Sequence, residues 1–132
     1  FNRNFAFGKV SSEVEKVYEV LWQATEVGIN AAIPGATTFD VFNAMNKVIS
    51  EMSVAGNNVG RLGHGLGLQL TEPPSHRDED KTVIKENMAL TIEPGLEYAP
   101  GKMIVHEENI IINEDGAELI TKRAPKEIPV IK

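Results

Sequence analysis

The chain has 132 residues, 42% of them hydrophobic and 24% charged, which suits one domain able to bury a real core. Thirteen Lys and Arg stand against 19 Asp and Glu, and the net charge of −6 argues against a nucleic-acid partner or an anionic membrane surface. There is no cysteine, which excludes disulfides and thiolate metal sites and makes cytoplasmic residence the expectation.

The first residues read FNRNFAFGKV, where Phe1, Phe5 and Phe7 alternate with Asn4 and Ala6 as in a half-buried strand. A strand pattern at the first residue, with no initiator Met and no signal-peptide core, suggests a chain cut within a longer domain. After Gly8 the pattern turns helical. Ser12-Glu13-Val14-Glu15 fits a capping box, and Val14, Val17, Tyr18, Leu21, Ala24 and Gly28 form one apolar stripe. Pro34-Gly35 stops this helix. Thr37 with Asp40 can cap a second, whose buried face reads Phe39, Phe42, Met45, Val48, Ile49 and Met52. Tyr18, Trp22 and the two phenylalanines resemble an aromatic binding box, but their helical spacing assigns them to the core.

Gly56-Asn57-Asn58 ends the second helix, and strands follow. Residues 66–70 form a short one, and residues 72–86 a charged loop with two prolines, of a length that usually has a function or moves. Residues 88–98 and 103–112 each read as one further strand. Asp115-Gly116 then turns the chain into Ala117-Glu118-Leu119-Ile120 as a hairpin. Two helices followed by a meander predict an α+β domain, with helices covering one face of a curved, mostly antiparallel sheet. No repeat, bilayer-length apolar run or interdomain linker is visible in the sequence.

His64 lies between Gly63 and Gly65, and glycines in a strand mark a bulge or close approach to the backbone. A lone histidine is more often a packed or surface residue. Glu93, in Thr-Ile-Glu-Pro-Gly, would on its own be a strand-end surface carboxylate. Glu108 shares strand parity with Ile104 and Ile110, whereas Glu107 has the opposite parity, so alternation turns Glu108 to the buried side. A buried carboxylate is costly unless paired or metal-bound. One imidazole and two carboxylates from separate strands suit a divalent transition metal.

GHGLGL with TEPP, LTIEPG, and VHEENIII with DGAELIT together resemble the pita-bread metallohydrolases: prolidase, aminopeptidase P, methionine aminopeptidase and creatinase. RNFAFGK and IPGATTFDVF resemble the preceding segments of the Xaa-Pro peptidase branch, so the similarity runs along essentially the whole chain. The resemblance implies two divalent metal ions held by two aspartates, one histidine and two glutamates, with His64, Glu93 and Glu108 matching the last three. It implies a metal-activated water attacking the carbonyl of a short peptide whose second residue is proline. Manganese, cobalt, iron and zinc all suit such donors. The family's second aspartate, in a pattern like Asp-x-x-Arg-Thr-Phe, would fall one position before Phe1, and Asp40 at a helix start cannot replace it. Residues 1–132 are therefore read as the C-terminal portion of a pita-bread catalytic domain. With half its carboxylates missing, the isolated chain is expected to bind metal weakly or not at all and to be inactive.

The pattern departs from the family at two shell positions. Thr71 stands where the peptidases have a second histidine, and it can donate a hydrogen bond but cannot become cationic. Gly60 stands where they have another. His76 could substitute, although a solvated loop histidine amid Arg77, Asp78, Glu79 and Asp80 is the plainer reading. His106, two positions before Glu108 where the family commonly has arginine, could hydrogen-bond a ligand carboxylate. Asn87 replaces a turn glycine and tolerates the left-handed region. Thr71 and His106 are thus the candidate catalytic residues beside the metal ligands.

Three readings compete: an Xaa-Pro peptidase-like hydrolase acting on small peptides; the same fold and metals with non-peptidase chemistry, such as creatinase-like C–N hydrolysis or a lyase reaction on a small non-peptide; and a degenerate binding or dimerisation module. An unpaired sheet edge also leads us to expect homo-oligomers.

Overall fold

Each helix begins where a hydroxyl can accept from a free backbone amide. In α1 (Ser12–Ala31) that residue is Ser11, whose side chain accepts from the Val14 amide. The cap lies one residue before the expected one. Val14 thus occupies the third helical position and offers no carboxylate, so the capping box expected over Ser12–Glu15 does not form. In α2 (Thr38–Ser50) the box is complete: Thr37 Oγ1 accepts from the Asp40 amide at 3.2 Å, and Asp40 accepts from the Thr37 amide at 2.8 Å. The computed structural model describes residues 1–51 and 60–132. Met52 and the helix end expected at Gly56-Asn57-Asn58 lie outside the described residues.

Nine strands accompany the helices among the described residues: β1 (Ala6–Phe7), β2 (His64–Gly65), β3 (Glu72–Ser75), β4 (Ala89–Ile92), β5 (Gly95–Ala99), β6 (Lys102–Val105), β7 (Glu108–Asn113), β8 (Gly116–Leu119) and β9 (Val130–Ile131). The main sheet is antiparallel throughout, in the order β3-β2-β4-β7-β8. β5 and β6 form a separate antiparallel ribbon, and β1 pairs in parallel with β9. The expected α+β arrangement is present. Val17, Leu21 and Ala24 of α1 and Val41, Met45 and Ile49 of α2 close over Leu90 and Ile92 of β4 and Ile110 and Ile112 of β7. Alternation therefore gives the sheet one face against the helices and one turned away from them. No described helix is long and apolar enough to cross a membrane.

The α2 stripe is rotated from the expected one. Thr38, Val41, Met45 and Ile49 are buried, while Phe39, Phe42 and Val48 are half-buried. The aromatic residues do not form a box: Tyr18 is in the core with its hydroxyl donating to the Pro125 carbonyl, and Trp22 Nε1 donates to that of Ala124.

The strand expectations are corrected in five places. Phe1, Phe5 and Phe7 face solvent, because Arg3 and Asn4 turn inward to Glu108 and to the Val105 carbonyl. Residues 66–70 are not a strand: the pairing of Gly65 with Glu72 reverses the chain at once and leaves Leu68 and Leu70 exposed in a bend. The loop expected over 72–86 contains β3, which packs along β2. The two long strands are each broken, residues 88–98 at Glu93-Pro94 and residues 103–112 at His106-Glu107. Pro94 has no amide to continue the ladder, and its carbonyl accepts from the His106 amide across the gap. The hairpin at Asp115-Gly116 forms as expected, and Asn87 adopts a φ of 67°.

Candidate metal centre

The glycines around His64 make room for neighbouring backbone. At Gly63 the φ is +141°, and a Cβ there would lie 2.1 Å from the Thr91 carbonyl oxygen. At Gly65 a Cβ would lie 2.4 Å from the Pro73 carbonyl. Strand β2 is thus squeezed between β3 and β4, and only glycine fits on either side of the histidine. The His64 amide donates to Thr91 Oγ1 at 3.0 Å, which fixes the backbone from which the ring projects.

The ring itself is oriented by a second bond. His64 Nδ1 lies 2.8 Å from the Gly65 carbonyl. A carbonyl can only accept, so Nδ1 carries the proton and Nε2 is left to face outward. Nε2 lies 3.5 Å from Glu93 Oε2. Glu107 completes the group: His64, Glu93 and Glu107 each offer a donor atom, all within 4.8 Å of one another.

Register explains the pairing of the two glutamates. On one side of the break Ile92 stands opposite Glu108, and on the other Gly95 stands opposite Val105. The same register carried across the gap sets Glu93 opposite Glu107. Both share parity with Thr91, on the face turned away from the helices. Glu108 shares parity with Ile110 and Ile112 and points the other way, into the core.

Glu108 is therefore not the carboxylate beside His64 and Glu93. It is fully buried and saturated with donors: Arg3 Nη2 at 2.8 Å, Thr121 Oγ1 at 2.5 Å, the Ala124 amide at 2.8 Å and Arg123 Nη1 at 3.3 Å. Burial alone would raise its pKa, but the Thr121 hydroxyl, the Ala124 amide and Arg3 together hold it below the ordinary value. The parity argument found the buried glutamate correctly. Its burial is answered by arginines rather than by a cation of another kind.

Glu93 and Glu107 differ in this respect. Among the described residues no hydrogen bond reaches either carboxylate; the Phe1 ammonium lies 3.5 Å from Glu107 Oε1, and the positive charges that act on Glu93 include Arg61 and the Phe1 ammonium. The Glu93 carboxyl is raised above its usual pKa by burial first and by the negative charge of Glu107 second. Two facing carboxylates without donors, beside an imidazole nitrogen whose tautomer is fixed, form a donor set that fits a divalent transition metal ion.

The remaining candidates lie elsewhere. Thr71 is exposed in the bend between β2 and β3 and makes no hydrogen bond to the group among the described residues. Among the described residues His106 bonds none of the candidate carboxylates: it is buried beneath the helices, with Nδ1 3.2 Å from Thr25 Oγ1 and its ring edge-on to Tyr18. Burial, aided by Arg123, lowers its pKa to about 4. His76 is not a solvated loop residue, because the pairing of β3 with β2 carries it inside, where it is wholly buried. Gly60 is exposed, with a φ of +74°. Glu107, Thr91 and Arg3 were not singled out as site residues in the sequence. Glu93 lies seven residues before Pro100 and Glu107 seven after it, and this symmetry is the signal that points to Glu107.

A model of metallopeptidase family M24 matches residues 1–114. This chain belongs to family M24. It is 34% identical over 121 residues to an Xaa-Pro dipeptidase of Pyrococcus furiosus, an alignment covering 91% of the chain and 34% of that relative. The M24 chain superposes on a dipeptidase from Pyrococcus horikoshii with a TM-score of 0.89 and 32% identity, covering 98% of this chain and 36% of the other. An X-Pro aminopeptidase from Thermotoga maritima gives a TM-score of 0.86 at 31% identity, over 98% of this chain and 36% of that one. The M24 chain thus has part of the pita-bread fold, and it spans about a third of the length of the curated relatives it matches.

Proposed function

We propose that this M24 chain is the C-terminal portion of a pita-bread catalytic domain and supplies three ligands, His64, Glu93 and Glu107, to a dinuclear metal site that hydrolyses short Xaa-Pro peptides. The observation that carries the reading is the convergence of these three donor groups within 4.8 Å from three separate strand ends. When bound, divalent ions supply a water activated near neutral pH and polarise the substrate carbonyl. The chain's own part is to hold and orient. Gly65 sets the tautomer of His64 through its carbonyl, Thr91 holds its backbone, and the register across the break brings Glu93 to face Glu107. In this reading Glu107 takes the place that the sequence resemblance gave to Glu108.

One observation favours a second reading, the same metals with non-peptidase chemistry. The chain has three histidines, and those other than His64 are buried, one behind β2 and one beneath the helices. Neither of this chain's other two imidazoles is therefore free to orient a peptide or to stabilise charge on its carbonyl, and loss of one such donor can cost on the order of 100-fold in rate. The complete product of the gene, assayed with manganese on a panel of Xaa-Pro dipeptides and on small non-peptide amides, separates the two. Hydrolysis of the dipeptides supports the first reading, turnover of non-peptides alone supports the second, and no turnover of either supports a binding module. In the isolated chain the group offers one imidazole and two carboxylates, too few donors to hold two ions tightly. A sub-micromolar two-ion isotherm with manganese would refute that part of the proposal.

A further inference from the structure

Glu107 has no side-chain hydrogen bond of its own among the described residues, and beyond its 3.5 Å ion pair with the Phe1 ammonium the direction of its carboxylate is set by the backbone that carries it. That backbone is held from the side by one guanidinium. Arg3 Nη1 donates to the Glu107 carbonyl at 2.8 Å, and Arg3 Nη2 donates to Glu108 Oε2 at 2.8 Å. Two donors of one rigid fork thus grip two consecutive residues, one by its main chain and the other by its side chain. A further bond from Nη2 to the Lys122 carbonyl ties the same fork to the segment after β8. Glu108 is anchored at its far end by the Ala124 amide and the Thr121 hydroxyl. The start of β7 cannot rotate without breaking several of these bonds together.

We propose that Arg3, acting through Glu108 and the Glu107 carbonyl, is a positioning residue that aims the Glu107 carboxylate at His64 and Glu93. The proposal rests on the reading of His64, Glu93 and Glu107 as metal ligands. A purely structural role for Arg3 would consist in neutralising the buried Glu108, which lysine can also do as a point charge. Aiming Glu107 needs the fork, which lysine lacks.

The test uses the complete product of the gene with cobalt(II) as the probe, whose visible absorption reports coordination geometry. Arg3→Lys is expected to lower the unfolding midpoint of the metal-free protein far less than Glu108→Gln does, since the charge on Glu108 stays answered, to weaken cobalt binding about tenfold, and to change the visible band of the folded protein. Thr121→Val, which loosens the far anchor while leaving Arg3 in place, is expected to do the same to a smaller extent, and it carries the test if Arg3→Lys does not fold. Wild-type cobalt affinity and spectrum in the folded variants would overturn the positioning role while leaving the metal reading intact. A wild-type protein that binds no cobalt, or a Glu107→Gln variant that binds it as wild type does, would overturn the metal reading and this proposal with it.

Discussion

On the helix side of the sheet, the carboxylate of Glu108 accepts from two arginines, a hydroxyl and a backbone amide. On the opposite side, one residue earlier in the chain, that of Glu107 faces Glu93 and His64 and accepts no hydrogen bond among the described residues. The first carboxylate is buried more deeply, yet its surroundings already supply all the positive charge it needs. The second sits where two carboxylates have been gathered with no hydrogen-bond donor among the described residues and few positive charges near them. Burial alone does not mark a ligand; an unmet demand for charge does. The difference also divides the energetics, since the closed cluster should govern stability and the open one should govern ion binding.

Glu108→Gln is the strongest test of that division. Removing one charge from a buried ion cluster typically costs about 3–5 kcal/mol, because the arginines left behind lose their partner. A large fall in denaturant or thermal midpoint is expected, with or without metal ions in the buffer. Destabilisation appearing only in the presence of metal would place Glu108 in the open cluster and break the comparison.

His76 represents a third condition, a buried polar group with neither partner nor charge. Among the described residues neither ring nitrogen has a hydrogen-bond partner of good geometry, and burial, aided by His64, lowers its pKa from 6.5 to about 4, an effect that the nearby Thr38 and Thr91 backbone and Asp80 only partly offset. The unfolded chain binds a proton near pH 6.5 that the folded protein refuses until about pH 4. Stability from this group is therefore complete above pH 6.5 and is lost as the pH falls toward 4. The loss amounts to roughly 3 kcal/mol, since each tenfold change in proton affinity is worth about 1.4 kcal/mol. Urea titrations between about pH 7 and pH 4 should show the decline in wild type and a shallower one in His76→Gln. Parallel declines would place the acid sensitivity elsewhere.

Gly63→Ala tests the scaffold that the open cluster stands on. The new Cβ would meet the Thr91 carbonyl oxygen and the His76 ring, at a φ that side chains rarely adopt. Overpacking of this kind costs about 1–3 kcal/mol. Because the strain falls beside His64, cobalt affinity should fall too in whatever fraction remains folded. Loss of stability with unchanged affinity would show that β2 can shift without moving the imidazole.

Much of this was readable in the sequence, and for identifiable reasons. The helices were, because their caps and apolar spacing are local: Thr37 and Asp40 lie three residues apart and need nothing else in the molecule. The pairing of His64 with Glu93 as candidates was, because flanking glycines and a following proline are strong local signals, and the two side chains do come together. The choice between Glu107 and Glu108 was not. Alternation says which glutamate is buried, but what awaits it there depends on Arg3 and Arg123, neither of which carries a local mark. The strand breaks were missed because Glu93-Pro94 and His106-Glu107 sit within apolar runs that read as continuous. The fate of His76 depended on β3, whose Glu-Pro-Pro-Ser sequence resembles a loop more than a strand.

The smallest effect is expected at Glu107 itself. In the metal-free protein Glu107→Gln removes one of two like charges that face each other, so it should leave the unfolding midpoint unchanged or raise it, by less than about 1 kcal/mol for such partly exposed pairs. Glu93 titrates above its ordinary value in the folded state, through burial and then through Glu107. A raised carboxyl pKa stabilises the folded state below the ordinary value and loses that contribution as the pH rises through the raised one. The small gain from Glu107→Gln should therefore appear only above the carboxylate range and vanish in acid. Manganese should raise the midpoint of the complete wild-type protein and leave the variant where it was, since an ion that binds only the folded state stabilises by mass action. Neighbouring glutamates would then respond in opposite directions to the same substitution, and a common direction would mean that the two faces of β7 are not electrostatically distinct.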